Sequence, residues 1–248
     1  MRYLKWCFAL LVLSFASLLS LSAHAGIMLS GTRVVYPAQQ REVSIKLTND
    51  DAQFPRLVQA WIDTGDEKLS AEKSNVPFIL TPPVFRVESG KSQVMRMVYT
   101  KEPLATDKET LFWLNVLEVP PRVGGEEDNQ LRFAFRLRTK IFFRPANLAI
   151  KPDNAPGLLE WRLVKADGGQ ALQVRNPTPY YISFQSVALA VGDKQIKSDD
   201  YTMVEPGGVQ HYSLKNAPAA PGPGAHVAFS IVDDYGAFVP LTAPLAEQ

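Results

Sequence analysis

Apolar and polar positions alternate along the chain in short runs that close at turn residues, the mark of half-buried strands. After Gly26, Met28 to Tyr36 ends at Pro37 and Arg41 to Leu47 ends at Asn49-Asp50-Asp51. Arg56 to Ile62 sets Leu57, Gln59 and Trp61 against Val58, Ala60 and Ile62, and Gln93 to Tyr99 alternates in the same way. Thr110 to Val119 is almost wholly apolar and stops at Pro120-Pro121, as a strand covered on both faces would. Runs resume at Leu159 to Lys165, Ala171 to Asn176, Ile182 to Val191, Val209 to Leu214 and Val227 to Val232. No stretch keeps a 3.6-residue apolar period. Strands about 10 residues apart, punctuated by proline and glycine, predict an all-β sandwich architecture. Three prolines between Pro145 and Pro156 mark a boundary, so residues 26–145 and 148–248 would form two sandwiches of ordinary size. One sandwich of 223 residues is the alternative. Pro218 to Gly224 reads as an exposed hairpin rather than a linker.

The first 25 residues follow a different pattern. Arg2 and Lys5 precede an apolar run from Trp6 to Leu21, and Ala23-His24-Ala25 offers a small-x-small cleavage site, the form of a secretory signal. The competing reading is a membrane anchor, but a run of 16 residues with three serines is marginal for ~30 Å of hydrocarbon. Residues 1–25 are therefore expected to be a cleaved signal, with the mature chain starting at Gly26 in an exported compartment, without insertion in a membrane. Cys7, the one cysteine, leaves with this leader. No disulfide, thiol nucleophile or cysteine metal site is then available to the mature chain.

Composition and charge narrow the chemistry. With 46% hydrophobic and 21% charged residues the chain is of the folding kind. Removing Arg2 and Lys5 from 26 basic residues leaves 24 against 25 acidic ones, so the mature body is near neutral and not built to track a nucleic-acid backbone. His211 and His226 stand too far apart for a motif such as HExxH. No G-x-S-x-G elbow, phosphate-cradling glycine loop or metal-spaced cluster occurs. Neither enzymatic activity nor a cofactor or metal is expected.

One segment stands out. From Asn129 to Pro145, Leu131, Phe133, Phe135 and Leu137 alternate with Arg132, Ala134, Arg136 and Arg138, after the polar loop Gly124-Gly125-Glu126-Glu127-Asp128. Period-two alternation puts the apolar row on one face and the basic one on the other. By pattern alone this is an ordinary half-buried strand, with its arginines as solvated edge protection. At a sheet edge, the same backbone and row would be a template for another chain, or for a second copy that caps it.

Several ordered pieces now match a known family. They are Gly31-Thr32-Arg33-Val34-Val35-Tyr36-Pro37, Phe78 to Arg86, Glu109 to Val116, Pro120-Pro121, Lys140 to Pro145, Asn176-Pro177-Thr178-Pro179-Tyr180-Tyr181 and Asp233 to Ala237. Over essentially the whole mature length the chain resembles the periplasmic pilus chaperones of chaperone–usher pathways. The short loop from Pro121 to Leu131 and the absence of cysteine after Gly26 resemble the short-loop branch. The resemblance implies two immunoglobulin-like β-sandwich domains set at an angle with a cleft between them. It implies donor-strand complementation, in which the chaperone lends a strand to a pilus subunit lacking one and delivers it to an outer-membrane usher.

By position, the resemblance makes Leu131, Phe133, Phe135 and Leu137 the donated row, and Arg33 and Lys140 the cations for the subunit's C-terminal carboxylate. It places Glu109, Arg144 and Asp234, with Asp233 as the alternative acid, in an interdomain ion network. Pro82, Pro83 and Arg86 become candidates for usher contact, although the prolines could equally be turn residues. Lys140 has the opposite parity to the apolar row, so a bulge or strong twist between Phe135 and Lys140 is expected. A secreted adhesin or structural sandwich is the rival class, and it would need neither converging cations nor an apolar edge.

Overall fold

The computed structural model describes residues 26–119, 133–166, 169–220 and 222–246. The leader and residues 120–132, with Pro120, Pro121 and Leu131 among them, lie outside the described residues.

The first half forms β1 (Ile27–Leu29), β2 (Arg33–Pro37), β3 (Val43–Asn49), β4 (Arg56–Asp63), β5 (Phe78–Thr81), β6 (Val84–Val87), β7 (Ser92–Tyr99), β8 (Thr110–Val119) and β9 (Phe135–Arg144). They make two sheets, ordered β1-β3-β7-β5 and β2-β9-β8-β4-β6. The run expected as one strand from Met28 to Tyr36 is two. The chain leaves the first sheet after Leu29, turns at Ser30-Gly31-Thr32, and enters the second at Arg33. Each half strand thus pairs with a different neighbour, β1 antiparallel to β3 and β2 parallel to β9.

Alternation along these strands sends Val58, Ala60 and Ile62 of β4, Phe112, Leu114 and Val116 of β8, and Ile141 and Phe143 of β9 into one core with Ile45, Leu47, Met95 and Met97. Tyr36 lies fully buried at its edge. Its hydroxyl donates toward the carbonyls of Gln40 and Arg41 and accepts from the Tyr99 N–H at 3.1 Å, so the buried phenol is satisfied.

The second half contains β10 (Glu160–Ala166), β11 (Gly169–Arg175), β12 (Ile182–Val191), β13 (Lys194–Lys197), β14 (Met203–Val204), β15 (Val209–Leu214), β16 (His226–Val232) and β17 (Phe238–Pro244). Sheet β10-β11-β15 faces sheet β13-β12-β16-β17 across a core centred on Trp161, which meets Phe184, Tyr212 and Phe229 at ring-centroid distances of 5.2–6.2 Å. The Pro218–Gly224 stretch joins β15 in one sheet to β16 in the other, so it is a crossover and not a hairpin.

The fold is two immunoglobulin-like sandwiches, with a core in each. The linker between Arg144 and Glu160 carries a 3-10 turn, Pro152–Leu158. A cavity of about 330 Å³ separates the domains, walled by Arg33, Phe142 and Arg144 on one side and Tyr180, Tyr181 and Val232 on the other.

Candidate functional site

β9 is the strand around which the site is built. β8 pairs with it from Glu118↔Phe135 to Thr110↔Phe143, in one unbroken register. The expected bulge between Phe135 and Lys140 is therefore absent. On the other side, β2 pairs only from Arg33↔Lys140 to Pro37↔Arg144. Among the described residues, no strand lies beside Phe135 to Thr139 on that side, which leaves about 16 Å of open edge. Alternate residues there turn backbone N–H and C=O outward, ready to pair.

Side-chain parity explains what that edge offers. Thr139, Ile141 and Phe143 face the domain core and are buried. Phe135 and Leu137 continue the same face beyond the cover of the opposing sheet, and are 61% and 36% exposed. Phe133 precedes the strand, 61% exposed, with its ring 6.4 Å from that of Phe135. The described row is thus a piece of core face with no second sheet over it, flanked by an open backbone edge.

The opposite face was expected to be solvated arginine. Arg138 corrects this. Its guanidinium donates to Asp63 Oδ1 at 2.7 Å, lies 4.2 Å from the Trp113 ring, and leaves only 14% of the side chain exposed. Asp63 is fully buried on β4 and also accepts from Asn115 Nδ2 at 2.6 Å and from the Gly65 N–H at 2.6 Å. Burial would raise this carboxyl, but the hydrogen bonds from Asn115, Arg138 and Gly65 hold it below its ordinary range. Arg136 remains exposed and donates to the Glu67 carbonyl at 2.8 Å. The open half of β9 is therefore anchored from behind to the end of β4.

Lys140 and Arg33 lie on that back face as direct neighbours in the parallel register of β9 and β2. Arg33 Nη1 donates to the Val232 carbonyl of the second domain at 2.7 Å, and its guanidinium stands 5.8 Å from the Phe142 ring. Its Nε is buried without a hydrogen-bond partner. Lys140 joins no ion pair or hydrogen bond among the described residues, and has only the Trp113 ring 5.6 Å from Nζ. Burial, together with the charge of Arg33, pulls the Lys140 ammonium below the usual lysine range. Burial also lowers Arg33, offset by Asp234, Asp233 and Glu109. The register thus holds two like charges side by side, and Arg33 keeps one donor unsatisfied.

Behind the cations, Arg144 Nε donates to Glu109 Oε1 at 2.7 Å, while its two terminal nitrogens donate to the Asp234 carboxylate at 2.6 and 2.8 Å. Glu109 Oε2 accepts the Tyr181 N–H at 2.8 Å, so the network spans both domains. Burial pushes the Glu109 carboxyl up, against the pull of Arg144. Burial opposes charge on Arg144 too, but the bonds to Asp234 and Glu109 hold its proton more firmly than usual. Asp233 is not the second acid; its Oδ1 accepts the N–H groups of Tyr235 and Ala237 and caps the β16–β17 turn. Tyr181 is presented by the Asn176-Pro177-Thr178-Pro179 bend, in which the buried Asn176 side chain bonds the Tyr180 and Glu205 carbonyls and the Thr178 N–H.

Arg144→Ala is expected to leave Glu109, only 3% exposed, as an uncompensated buried charge, at a cost of about 3–5 kcal/mol. The thermal midpoint should fall by roughly 5 °C or more, and small-angle scattering should report a wider spread of interdomain angles. Unchanged scattering and an unchanged midpoint would remove the network from any role in setting that angle.

Pro82 and Pro83 form the crossover from β5 to β6, and the Pro83 carbonyl accepts the Ala60 N–H at 2.8 Å. Arg86 is exposed beside Glu88 at 2.8 Å. It aligns with exposed Leu57 and Val119 in one row across β6, β4 and β8, and Val84 extends the patch. The alternation of β4 sets Leu57 with Gln59 and Trp61, opposite Val58, Ala60 and Ile62, but carries no sign that Val119 and Val84 join it.

A two-domain β-sandwich with a half-open strand, a pair of cations at its end and an ion network across the hinge defines a class of assembly chaperone. Residues 26–149 match the pili and flagellar-assembly chaperone, PapD N-terminal domain, and residues 154–243 match the pili assembly chaperone PapD, C-terminal domain. The chain belongs to this pilus chaperone family. It is 38% identical over 230 residues to the probable fimbrial chaperone YadV of Escherichia coli, covering 91% of this chain and 92% of that one. The crystal structure of the Pseudomonas aeruginosa CupB2 chaperone superposes with a TM-score of 0.75 at 40% identity, covering 88% of this chain and all of that one. The SafB chaperone of Salmonella enterica, solved in complex with the SafA pilin, superposes with a TM-score of 0.72 at 28% identity over 89% of this chain and 96% of that chain.

Proposed function

We propose that this chain is a periplasmic chaperone that captures pilus subunits on the open edge of β9 and hands them to an outer-membrane usher. The observation that carries the reading is the shape of that edge. β2 and a guest strand would lie end to end along β9, the guest on Phe135 to Thr139 and β2 on Lys140 to Arg144. A guest running toward β2 therefore ends where Arg33 begins, and its carboxylate meets Arg33 and Lys140. This arrangement also removes the parity conflict. Backbone pairing takes place in the plane of the sheet, the apolar row enters the guest's groove from one face, and the cations receive the chain end from the other.

Burying each apolar side chain of the row stabilises a complex by about 1.5–3 kcal/mol before ordering costs. The charged anchor adds less energy than it adds register, because a fixed chain end stops the guest from slipping by two residues. The YadV, CupB2 and SafB relatives, and SafB's complex with a pilin, support this reading. The leader pattern supports the compartment, and no helix among the described residues is long and apolar enough to cross a membrane. The usher would dock on Pro82, Pro83 and Arg86, beside the exposed Leu57, Val84 and Val119.

Co-expression with pilus subunits from the same genome should yield a periplasmic complex, identified by mass spectrometry of the co-purified partner. Amides of residues 135–139 that pair outward should exchange freely in the isolated chain and become protected in the complex. Full protection in the isolated monomer would refute the open-edge reading.

A further inference from the structure

We infer that Tyr235 and the pocket beside Arg33 form a subsite for an apolar side chain at the carboxyl end of the guest strand. The inference rests on the reading of Arg33 and Lys140 as the anchor for that end, and extends it from the carboxylate to the side chain next to it.

Tyr235 is 93% exposed, more than any other large apolar or aromatic side chain among the described residues. A ring left so open ordinarily sits on a loose loop. This one does not. Asp233 Oδ1 accepts the Tyr235 and Ala237 N–H groups at 2.9 and 2.8 Å, and the Asp233 carbonyl accepts the Gly236 N–H at 3.1 Å. The residue before it, Asp234, is held by two bonds from Arg144. Gly236, at φ +87°, brings the turn so close to the first domain that a Cβ there would stand 2.6 Å from Thr32 Oγ1. An aromatic ring is thus carried on a turn pinned from both domains, with nothing of its own chain to cover it.

The pocket that Tyr235 borders, about 280 Å³, lies at the end of the open edge. Leu29, Val43 and Ile45 supply apolar wall, and Arg33 and Thr139 bound it where β2 begins and the open part of β9 stops. Successive side chains of a strand point to opposite faces. A guest whose carboxylate turns toward Arg33 and Lys140 must therefore place one of its last two side chains on the Thr139 face, against this wall. The pocket has room for one bulky side chain, and the exposed Tyr235 ring, carried on a pinned backbone, stands free to close over it.

The test uses two twelve-residue synthetic peptides copying the carboxyl end of the captured subunit, one ending in leucine-tyrosine and the other in glycine-glycine, titrated calorimetrically into the full chain. Tyr235→Ala is expected to weaken the leucine-tyrosine peptide about five- to tenfold and the glycine-glycine peptide not at all. Tyr235→Phe should bind both as the parent does. Arg33→Ala should weaken both peptides. Equal effects of Tyr235→Ala on the two peptides, or none, would overturn the subsite while the loss with Arg33→Ala left the anchor standing. If Arg33→Ala also had no effect, the anchor would fall and the subsite with it.

Discussion

Phe135→Glu should abolish recovery of a chaperone–subunit complex while the chaperone itself folds as before. The side chain is 61% exposed in the free protein, so the substitution removes little from its own core. In the proposed complex, the same position would enter an apolar groove. Losing the buried ring forfeits about 1.5–3 kcal/mol, and placing a carboxylate there adds a desolvation cost at least as large. The sum exceeds about 3 kcal/mol, or a loss of more than a hundredfold in affinity. Phe133→Glu should act in the same direction. The measurement is co-purification from the periplasm alongside the thermal midpoint of the isolated chaperone. Recovery of the complex at parental yield with Phe135→Glu would show that the row is ordinary surface.

The second large effect is expected at the cations. Hydrogen bonds to charged groups contribute about 1.5–3 kcal/mol each, so Arg33→Ala or Lys140→Ala should reduce capture by about ten- to a hundredfold, and the double variant should eliminate it. Their pH behaviour separates a true anchor from a packing role. Burial and the neighbouring Arg33 hold the Lys140 ammonium below its ordinary range. On the proposed reading the protonated form is the one that would receive a carboxylate, so capture should follow the charge of Lys140. It should weaken as alkaline pH strips Lys140, beginning lower than a solvent-exposed lysine would allow. Bound carboxylate raises the affinity of Lys140 for its proton, so the loss should be gradual. Lys140→Arg should move the fall to higher pH, because guanidinium keeps its charge throughout that range. A flat profile in the parent, with Lys140→Ala still binding, would remove Lys140 from the anchor.

Much of the fold could be read from alternation alone, because a strand with one buried face writes its period into the sequence. The Phe133–Leu137 row is legible for that reason. The split between β1 and β2 is not. Ser30-Gly31-Thr32 interrupts a pattern whose apolar residues remain suitable for either sheet, and only the choice of pairing partner distinguishes them. Arg138 is hidden in a similar way. Its own segment reads as exposed and basic, while the buried Asp63 that claims it is 75 positions earlier. The hinge network is legible only through the family resemblance, since Glu109, Arg144 and Asp234 are scattered over the chain. The Val232 carbonyl that steers Arg33 belongs to the backbone and leaves no mark in a sequence. The bulge is expected only if row and cations must share one face, whereas in the sheet they lie on opposite faces of β9.

The parallel seating of β2 against Lys140 to Arg144 has a consequence for which guests can be accepted. With a guest seated as proposed, it would make the chaperone a gauge that counts from the carboxyl terminus. A subunit lengthened there by even two or three residues would collide with β2, and could be admitted only by prising that strand off the sheet or by shifting out of step with the row. Fusions at the tail of a client should therefore be rejected, whereas the same tag placed at its head should pass.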